Sequence, residues 1–398
     1  MKIGVYGGSF NPPHLGHVRA AQACKEKLGL DKVLVVPASL PPHKQLSGGS
    51  ASAQQRLELT QLAFSGLDGF SVLNLELRRE GKSYTVDTIC EIKEQYAKDE
   101  LYLMMGTDMF LSFQDWYRPD QIAKRARLVC FSRYDADGKD PQQLMQQAKN
   151  LEARFEAKPV VLTDDCFEIS STETRRLLFF GLAEPYLPHR VFQRITELGL
   201  YGVHRDYKGL SFDELCSVSL SLHKKTRAAH AQGVCQTARE MARRFGADEA
   251  LAARAGILHD VTKALKPEWQ LALAQKLQVE LTAFERENPQ LLHAKTGAAA
   301  ARVIFGECEE VCRAIEWHTT GKPDMTKLEK IVYLADMIEP NRTYPGVEMI
   351  RSAAERDLDE GTSLALERTI AHLQEQGLAV CEASFLARNF LLRERNKI

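Results

Sequence analysis

Two histidines near the amino terminus stand in a context that suits phosphate chemistry. His14 and His17 follow an apolar run at Lys2–Tyr6 and the string Gly7-Gly8-Ser9-Phe10-Asn11-Pro12-Pro13. Glycines after a first parallel strand let backbone amides approach phosphate oxygens, and the N-terminus of the next helix adds partial positive charge. Residues three apart on a helix share a face, so both imidazoles can stabilise charge on a transferring phosphoryl group.

A second candidate phosphate site lies late in the same half of the chain. Its residues are Ile169-Ser170-Ser171-Thr172-Glu173-Thr174-Arg175. Hydroxyl groups and free backbone amides at the start of a helix, with an arginine one turn inside, suit the β- and γ-phosphates of ATP. The two strings together predict a site that binds a nucleoside triphosphate.

On these two strings, residues 1–202 resemble the HxGH nucleotidyltransferase superfamily. The resemblance implies in-line attack by the phosphate of a mononucleotide on the α-phosphorus of ATP, with Mg²⁺ bridging the phosphates and pyrophosphate leaving. It implies catalysis by His14 and His17 through positioning and charge stabilisation. One departure is Thr174, where the superfamily pattern leads us to expect an aliphatic residue.

Three further segments are similar to nicotinate mononucleotide adenylyltransferases: Pro41–Lys44, Ser83–Thr88, and Met105–Asp108 followed by Trp116. The resemblance implies that the mononucleotide is bound by Lys44, Tyr84, Thr85, Gly106, Asp108, Trp116 and Arg133. The indole would stack on the pyridine ring, and the two cationic groups would contact phosphate. The residues by themselves also fit a core aromatic at Trp116, a helix N-cap at Thr85, and another acceptor such as phosphopantetheine.

The second half of the chain carries a different set of chemically active residues. They are His230, His259, Asp260, His293, His318 and Asp336. An adjacent His-Asp pair at a helix end lets an imidazole and a carboxylate meet one ion, while the other ligands must come from separate helices. The long spacings exclude a zinc finger. Any one of these histidines by itself would more simply be a packed core residue.

Three strings around these residues resemble HD-domain phosphohydrolases over about 213–398: Leu258–Lys263, Trp317–Pro323 and Leu334–Arg342. They are most similar to the branch that hydrolyses diadenosine tetraphosphate symmetrically. That resemblance implies a centre of two divalent metal ions, with iron as the expected metal and manganese as an alternative.

The same resemblance assigns a role to each ligand. His230, His259 and Asp336 would hold one ion, His293 and His318 the other, and Asp260 would bridge the two. Asp260 and Lys263 are the implied catalytic residues, and Lys263 and Arg342 would contact substrate phosphates unless they are solvated surface charges. A nonenzymatic module that senses metals or nucleotides is the alternative for this half.

The elements that position the first set alternate between strands and helices. Strand candidates are Lys2–Tyr6, Lys32–Val36, Ser71–Leu75, Glu100–Met105, Ala126–Ser132 and Pro159–Leu162. Helical patterns begin near Leu15 and Ala53 and recur near 84–97, 171–180 and 188–198. Such alternation predicts an α/β Rossmann-like parallel sheet covered by helices, here a domain over residues 1–203.

Beyond a polar linker at 204–212, the pattern becomes helical, and an all-α HD-domain bundle is predicted over 213–398. The predicted helices are 213–244, 247–262, 267–279, 294–304, 308–319, 326–338, 346–354 and 360–376.

Bulk properties narrow the partners. The 398 residues carry a formal net charge of −1, so the basic footprint of a nucleic-acid-binding protein is absent. Nine dispersed cysteines predict reduced thiols. With no apolar run long enough for a bilayer and no leader pattern, we expect a cytoplasmic enzyme that binds ATP, nicotinate mononucleotide and a dinucleoside polyphosphate. Assembly into a homo-oligomer stays open.

Overall fold

The computed structural model describes residues 1–39, 49–79, 81–131, 141–162 and 169–395. Backbone contacts divide the chain into Met1–Arg205, called unit 1, and Asp206–Ile398, called unit 2. Along the described ranges, no helix is both long enough and apolar enough to cross a membrane.

Unit 1 is built on a six-stranded parallel sheet. The strands are β1 (Lys2–Gly8), β2 (Lys32–Pro37), β3 (Phe70–Val72), β4 (Glu100–Gly106), β5 (Ala126–Phe131) and β6 (Val160–Leu162). Their order is β3-β2-β1-β4-β5-β6, and every neighbouring pair is parallel. The predicted parallel α/β architecture is therefore confirmed. The third strand is shorter than expected, because the chain turns after Leu73 into a short helical turn at Glu76–Arg78.

Helices follow the strands and cover the sheet. They are α1 (Leu15–Leu28), α2 (Ala53–Phe64), α3 (Thr85–Gln95), α4 (Thr107–Leu111), α5 (Pro119–Ala123), α6 (Pro141–Phe155), α7 (Ser171–Phe180) and α8 (His189–Glu197). Alternate residues of β1 and β4, such as Ile3, Val5, Leu101 and Leu103, pack with apolar residues of α3 in one core cluster. Burial on both faces explains why these strands are almost continuously apolar.

The described part of unit 2 is helical, which confirms the predicted all-α architecture. Its helices are α9 (Phe212–Leu222), α10 (Lys225–Phe245), α11 (Glu249–Leu258), α12 (Pro267–Lys276), α13 (Ala283–Glu287), α14 (Leu292–Ala300), α15 (Glu309–Glu316), α16 (Lys327–Ile338), α17 (Val347–Arg356), α18 (Leu358–Glu375) and α19 (Glu382–Arg395). A π-helical turn at Ala301–Phe305 extends α14.

The prediction of one helix over 213–244 is wrong. The chain leaves the helix at His223, whose backbone is extended with φ −80° and ψ 158°, and α10 begins at Lys225. The buried His223 ring bonds through Nδ1 to the carbonyl oxygen of Ser219 at 2.9 Å. Apolar spacing continues across this break, which is why the pattern predicts one helix.

Close packing of α10 against α11 sets the geometry of unit 2. Gly256 permits it, because a Cβ at this position would come within 2.8 Å of the Cys235 Cα. Val234, Ala238 and Ala252 add small apolar contacts to the same core. The two helices thereby bring His230 and the end of α11 together.

Candidate functional site

The first site of unit 1 lies where the strand order reverses. β1 and β4 are neighbours, and Tyr6 stands opposite Met104, so Gly8 and Gly106 end their strands side by side. Ligands of open α/β sheets bind outside the carboxyl ends of the strands at such a reversal. A Cβ on Gly7 would meet no atom within 4 Å, so the backbone there borders open space.

His14 and His17 lie together at the start of α1. His14 is the N-cap residue and is buried, whereas His17 is half-buried, and their ring centroids are 3.7 Å apart. The His14 backbone amide donates to Nδ1 of His17 at 3.2 Å. A neutral His17 therefore carries its proton on Nε2, which makes that atom a hydrogen-bond donor.

The start of α7 is tied to the same loop. Arg175 donates through Nη1 to the carbonyl oxygens of Asn11 and Ser171, and the Ser171 hydroxyl donates to Pro12 O at 3.0 Å. Burial lowers the pKa of Arg175, but the arginine stays charged at neutral pH. Arg175 Nη2 also donates to the Thr172 hydroxyl oxygen at 3.3 Å. The structure thus brings both predicted phosphate strings together.

Several predicted phosphate-site residues offer only backbone groups. The side chains of Phe10 and Ile169 are buried, and the Phe10 ring packs against His17 with centroids 5.0 Å apart. Ser170 is the N-cap of α7, and its hydroxyl accepts from the Glu173 amide. Thr174, the residue that departs from the superfamily pattern, is fully buried with its hydroxyl bonded to Ser170 O at 2.9 Å.

The described residues predicted for the mononucleotide lie at the start of α3, at the end of β4 and in the segment that follows β4. Tyr84 is the N-cap of α3 and Thr85 its first residue, so the alternative of an N-cap at Thr85 does not hold. Gly106 ends β4, and Asp108 lies exposed in the first turn of α4. Trp116 is half-buried, its ring centroid 5.3 Å from that of Phe113. Lys44 and Arg133 lie outside the described residues.

In unit 2, all six predicted ligands converge. The Nε2 atoms of His230 and His259 are 3.3 Å apart, and those of His293 and His318 are 3.2 Å apart. Asp336 Oδ1 lies 3.1 Å from His230 Nε2. Ligand atoms within each of three overlapping triplets of this set lie within 4.8 Å of one another, so the set could hold metal ions.

The Asp260 carboxylate lies between two halves of this cluster. Its Oδ2 faces His259 Nε2 at 3.4 Å and His230 Nε2 at 3.8 Å. Its Oδ1 faces His293 Nε2 at 3.2 Å and His318 Nε2 at 3.7 Å. One carboxylate with each oxygen aimed at a different histidine pair is the arrangement that a bridging ligand of two cations requires.

The outer contacts of the histidines fit cation binding. Nδ1 of His259 and Nδ1 of His318 each donate to a backbone carbonyl at 2.7 Å, and Nδ1 of His230 donates to Glu339 at 3.0 Å. A neutral imidazole with its proton on Nδ1 turns the Nε2 lone pair inward. The Nε2 atoms of His230 and His259 are 3.3 Å apart, so their lone pairs repel each other unless a cation or a proton lies between them.

Charge in this cluster suits divalent cations. Burial by itself would raise the pKa values of Asp260 and Asp336, but the surrounding histidines outweigh it and hold both well below the usual range. Burial lowers the pKa of His293 to about 4, so its imidazole is neutral near pH 7. Two anionic carboxylates and neutral imidazoles are donors that divalent transition metals prefer.

Three cationic side chains border the cluster. Arg227 contacts Asp260, and Arg342 bonds to Asp336 through both a backbone and a side-chain oxygen. Lys263 Nζ lies 2.9 Å from His293 Nε2, and burial lowers the pKa of this lysine. These groups could bind the phosphates of an anionic substrate beside the ligands.

Comparison with known proteins decides the family. Residues 5–177 match the family described as Cytidylyltransferase-like. A protein of Gloeobacter violaceus named "Probable nicotinate-nucleotide adenylyltransferase" is 39% identical over 204 residues, which are 51% of this chain and 97% of that protein. A Dictyoglomus thermophilum protein of the same name is 38% identical, and the match covers 50% of this chain and 100% of the relative. The chain belongs to the nicotinate-nucleotide adenylyltransferase family.

This family member carries an additional domain. Residues 227–341 match the HD domain, and all six converging ligands lie within this range. A solved structure titled "predicted HD superfamily hydrolase involved in NAD metabolism", from Clostridium acetobutylicum, is 34% identical and aligns with 46% of this chain and 98% of that one, with a TM-score of 0.45. The adenylyltransferase relatives cover about half of this chain, the Cytidylyltransferase-like match lies in the first half, and the HD-domain match lies in the second.

Sequence reasoning missed three residues of this adenylyltransferase-family protein. Arg56 is fully buried in α2 and donates to Ser9 O, Ala38 O and Ser39 O, which joins the loop after β1 to the segment after β2. A charged residue on the apolar face of α2 is the signal that could have revealed it. Arg227 and Glu339 show no comparable signal, because only the fold places them against Asp260 and His230.

Proposed function

We propose that unit 1 transfers AMP from ATP to nicotinate mononucleotide, giving deamido-NAD and pyrophosphate. The observation that carries this proposal is the placement of His14 and His17 at the start of α1, in the loop to which Arg175 of α7 is bonded. The names of the relatives support the acceptor.

The reaction needs no nucleophile from the protein. A phosphate oxygen of the mononucleotide attacks the α-phosphorus of ATP, the bond from that phosphorus to the bridging oxygen breaks, and its electron pair leaves with pyrophosphate. Mg²⁺ bound to the ATP substrate would neutralise part of the charge on its phosphates. His17 donates through Nε2–H to the transferring phosphate, and Arg175 with the α7 amides holds the β- and γ-phosphates.

The acceptor is held on the other side of the strand reversal. Tyr84 and Thr85 at the start of α3, with Gly106 at the end of β4 and Asp108 in α4, border the mononucleotide, and the Trp116 indole stacks on its pyridine ring. The family resemblance also assigns Lys44 and Arg133, which lie outside the described residues, to contacts with its phosphate.

Pyrophosphate release tests this activity. The full chain is mixed with Mg²⁺, ATP and either nicotinate mononucleotide, nicotinamide mononucleotide or phosphopantetheine, and the adenylylated product is identified by its mass. Nicotinate mononucleotide should be the preferred acceptor. Faster turnover of phosphopantetheine would replace the proposal with the other acceptor, and no pyrophosphate from any of the three would refute it.

For unit 2 we propose a metal-dependent phosphohydrolase that cleaves dinucleoside polyphosphates. The observation that carries this proposal is the position of the Asp260 carboxylate, whose two oxygens face two different histidine pairs. His230, His259 and Asp336 would hold one divalent cation and His293 and His318 the other, with Asp260 bridging. Iron is the proposed metal, with manganese as the alternative.

Cations bound there would supply Lewis-acid activation of water and neutralise phosphate charge. Lys263 and Arg342, with Arg227, lie beside the ligands and would orient the phosphate chain of the substrate. With diadenosine tetraphosphate, water would attack one of the two central phosphorus atoms and lose a proton, and the bond from that phosphorus to the central bridging oxygen would break. The bridging oxygen would leave as part of the second ADP, so that two ADP molecules form.

Product analysis tests this second activity. The full chain, stripped by chelator and reloaded with Fe²⁺ or Mn²⁺, is incubated with diadenosine tetraphosphate. ADP as the single product would support symmetric cleavage, whereas AMP with ATP would contradict it. Binding of metal and nucleotide without turnover would instead support the sensing module.

A further inference from the structure

One of the six proposed ligands has an outer contact unlike the others that the structure describes. Nδ1 of His259 and Nδ1 of His318 donate to the backbone carbonyls of Gly256 and Ile315. Nδ1 of His230 donates instead to the side-chain carboxylate of Glu339, with 3.0 Å between Nδ1 and Oε1. Glu339 is outside the proposed ligand set, so its place beside His230 calls for a separate explanation.

Glu339 is buried and held from both sides. Only 1% of its surface is exposed, and its second oxygen, Oε2, accepts from the backbone amide and from the side-chain amide of Asn341, each at 2.8 Å. Burial opposes ionisation, but the hydrogen bonds from Asn341 and His230 hold the pKa of Glu339 below its ordinary value. Three donors to one buried carboxylate fix its orientation.

Gly233 provides the space for this carboxylate. It lies on α10, three residues after His230, and so on the same face of the helix. A Cβ added to Gly233 would collide with Oε2 of Glu339 and would come within 3.3 Å of Asn341 Nδ2. Any larger residue at this position would therefore push the carboxylate away from His230.

The other half of the cluster has an opposing feature. Lys263 Nζ lies 2.9 Å from His293 Nε2, so its amino group competes with a cation for the His293 lone pair. On the His230 side, Asp336 Oδ1 lies 3.1 Å from His230 Nε2, in addition to the shared Asp260. Of the two carboxylates in the proposed ligand set, Asp260 is the one with an oxygen facing His293. The His230 half thus has two carboxylates of its own, Asp336 and Glu339, and a better supported imidazole, while Arg227 and Arg342 contact carboxylates of the same half.

We propose that Glu339 is a positioning residue for His230, admitted by Gly233, and that it makes the His230–His259–Asp336 position the tighter of two unequal cation sites. The inference rests on the two-cation centre proposed above. A carboxylate that accepts Nδ1–H fixes the ring and strengthens Nε2 as a donor, and loss of such an outer partner weakens metal affinity by about 10–100-fold.

Manganese titration of the chelator-stripped full chain tests the inference, with free Mn²⁺ counted by electron paramagnetic resonance. The parent chain should bind two ions with different affinities. Glu339→Gln should weaken the tighter event by about 10–100-fold and change the weaker one by less than about threefold. Gly233→Ala should act in the same direction.

Two further variants separate positioning from general damage. Glu329→Gln is the matched control, because Glu329 is equally buried but caps the start of α16 and belongs to none of the ligand triplets. It should leave both Mn²⁺ affinities unchanged. In a His230→Ala background, Glu339→Gln should have almost no additional effect, since Glu339 acts through that ring.

The outcomes are distinguishable. If the parent chain binds two ions but Glu339→Gln binds them equally well, or weakens both events alike, the positioning role is refuted and the metal centre stands. A full effect of Glu339→Gln in the His230→Ala background would likewise refute it. If the parent chain binds no Mn²⁺, the proposed centre itself fails.

Discussion

Arg175 donates a hydrogen bond of 2.6 Å to the carbonyl oxygen of Asn11, which lies 164 positions earlier in the chain. This contact joins the start of α7 to the loop that carries His14 and His17. It gives Arg175 two tasks, because the same guanidinium that holds the loop also borders the space proposed for the ATP phosphates. Substitutions in this region should therefore affect nucleotide binding and loop order together.

Arg175→Lys should raise the KM for ATP by at least about tenfold. A single ammonium cannot reproduce the fork that reaches Asn11, Ser171 and Thr172 together, and each lost hydrogen bond of this kind is worth about 1–2 kcal/mol. Steady-state kinetics with varied ATP measure the effect. Arg190→Lys, at an exposed position on α8, is the control. An unchanged KM would argue against phosphate contact by Arg175.

His17→Ala should lower kcat for AMP transfer by about 10²–10³-fold, the usual cost of removing one donor to a developing charge. Its ring is only half-buried, so the loss of unfolding free energy should be much smaller than the loss of transition-state stabilisation. Gln22→Ala, at an exposed position later in α1, is the control for helix stability. Kinetics and urea unfolding of both variants check this. A variant that unfolds instead of losing turnover would contradict the proposed role.

His14→Ala should also reduce turnover, but with a larger loss of stability. The His14 ring is buried and lies 3.7 Å from the His17 ring, so its removal leaves a gap and frees His17. The same two measurements separate the variants. Equal stability losses for His14→Ala and His17→Ala would contradict the expected larger packing contribution of the His14 ring.

Asp260→Asn should abolish binding at both cation positions, because it replaces the one carboxylate that faces both histidine pairs. In the parent chain, Mn²⁺ at 100 times its Kd should stabilise unit 2 by about 2.7 kcal/mol. Metal analysis and thermal unfolding with and without Mn²⁺ measure the two effects. AMP transfer in the same samples should be retained. A full metal content in Asp260→Asn would exclude the bridging role.

Unit 2 should lose stability as the pH falls from about 6.5 to about 4. Burial lowers the pKa of His223 from 6.5 to about 4, so across this range the unfolded chain binds a proton that the folded one excludes. This loss of unfolding free energy is absent at pH values above the His223 pKa of the unfolded chain and complete below that of the folded chain. His223→Gln should flatten part of this slope, measured by urea unfolding from pH 7 to 4 in chelator. An identical slope in both proteins would contradict the effect.

Much of the architecture was predictable because its signals are local. The alternation of apolar runs with helical patterns predicts a parallel sheet in the first half, and helix-spaced apolar residues predict an all-α second half. Both fold classes are confirmed. The helix break at His223 was not predicted, because the apolar spacing continues across it.

By itself, the sequence determined which residue types are available: two histidines after a glycine-rich strand end, a hydroxyl-rich helix start with Arg175, and six candidate metal ligands. Tertiary structure decided which of them meet. The bond from Arg175 to Asn11, the buried Arg56 beneath the loop, and the bond from Glu339 to His230 each join residues far apart in sequence. Sequence spacing predicts neighbours within one helix or strand, but contacts between elements depend on packing distances that no local pattern contains.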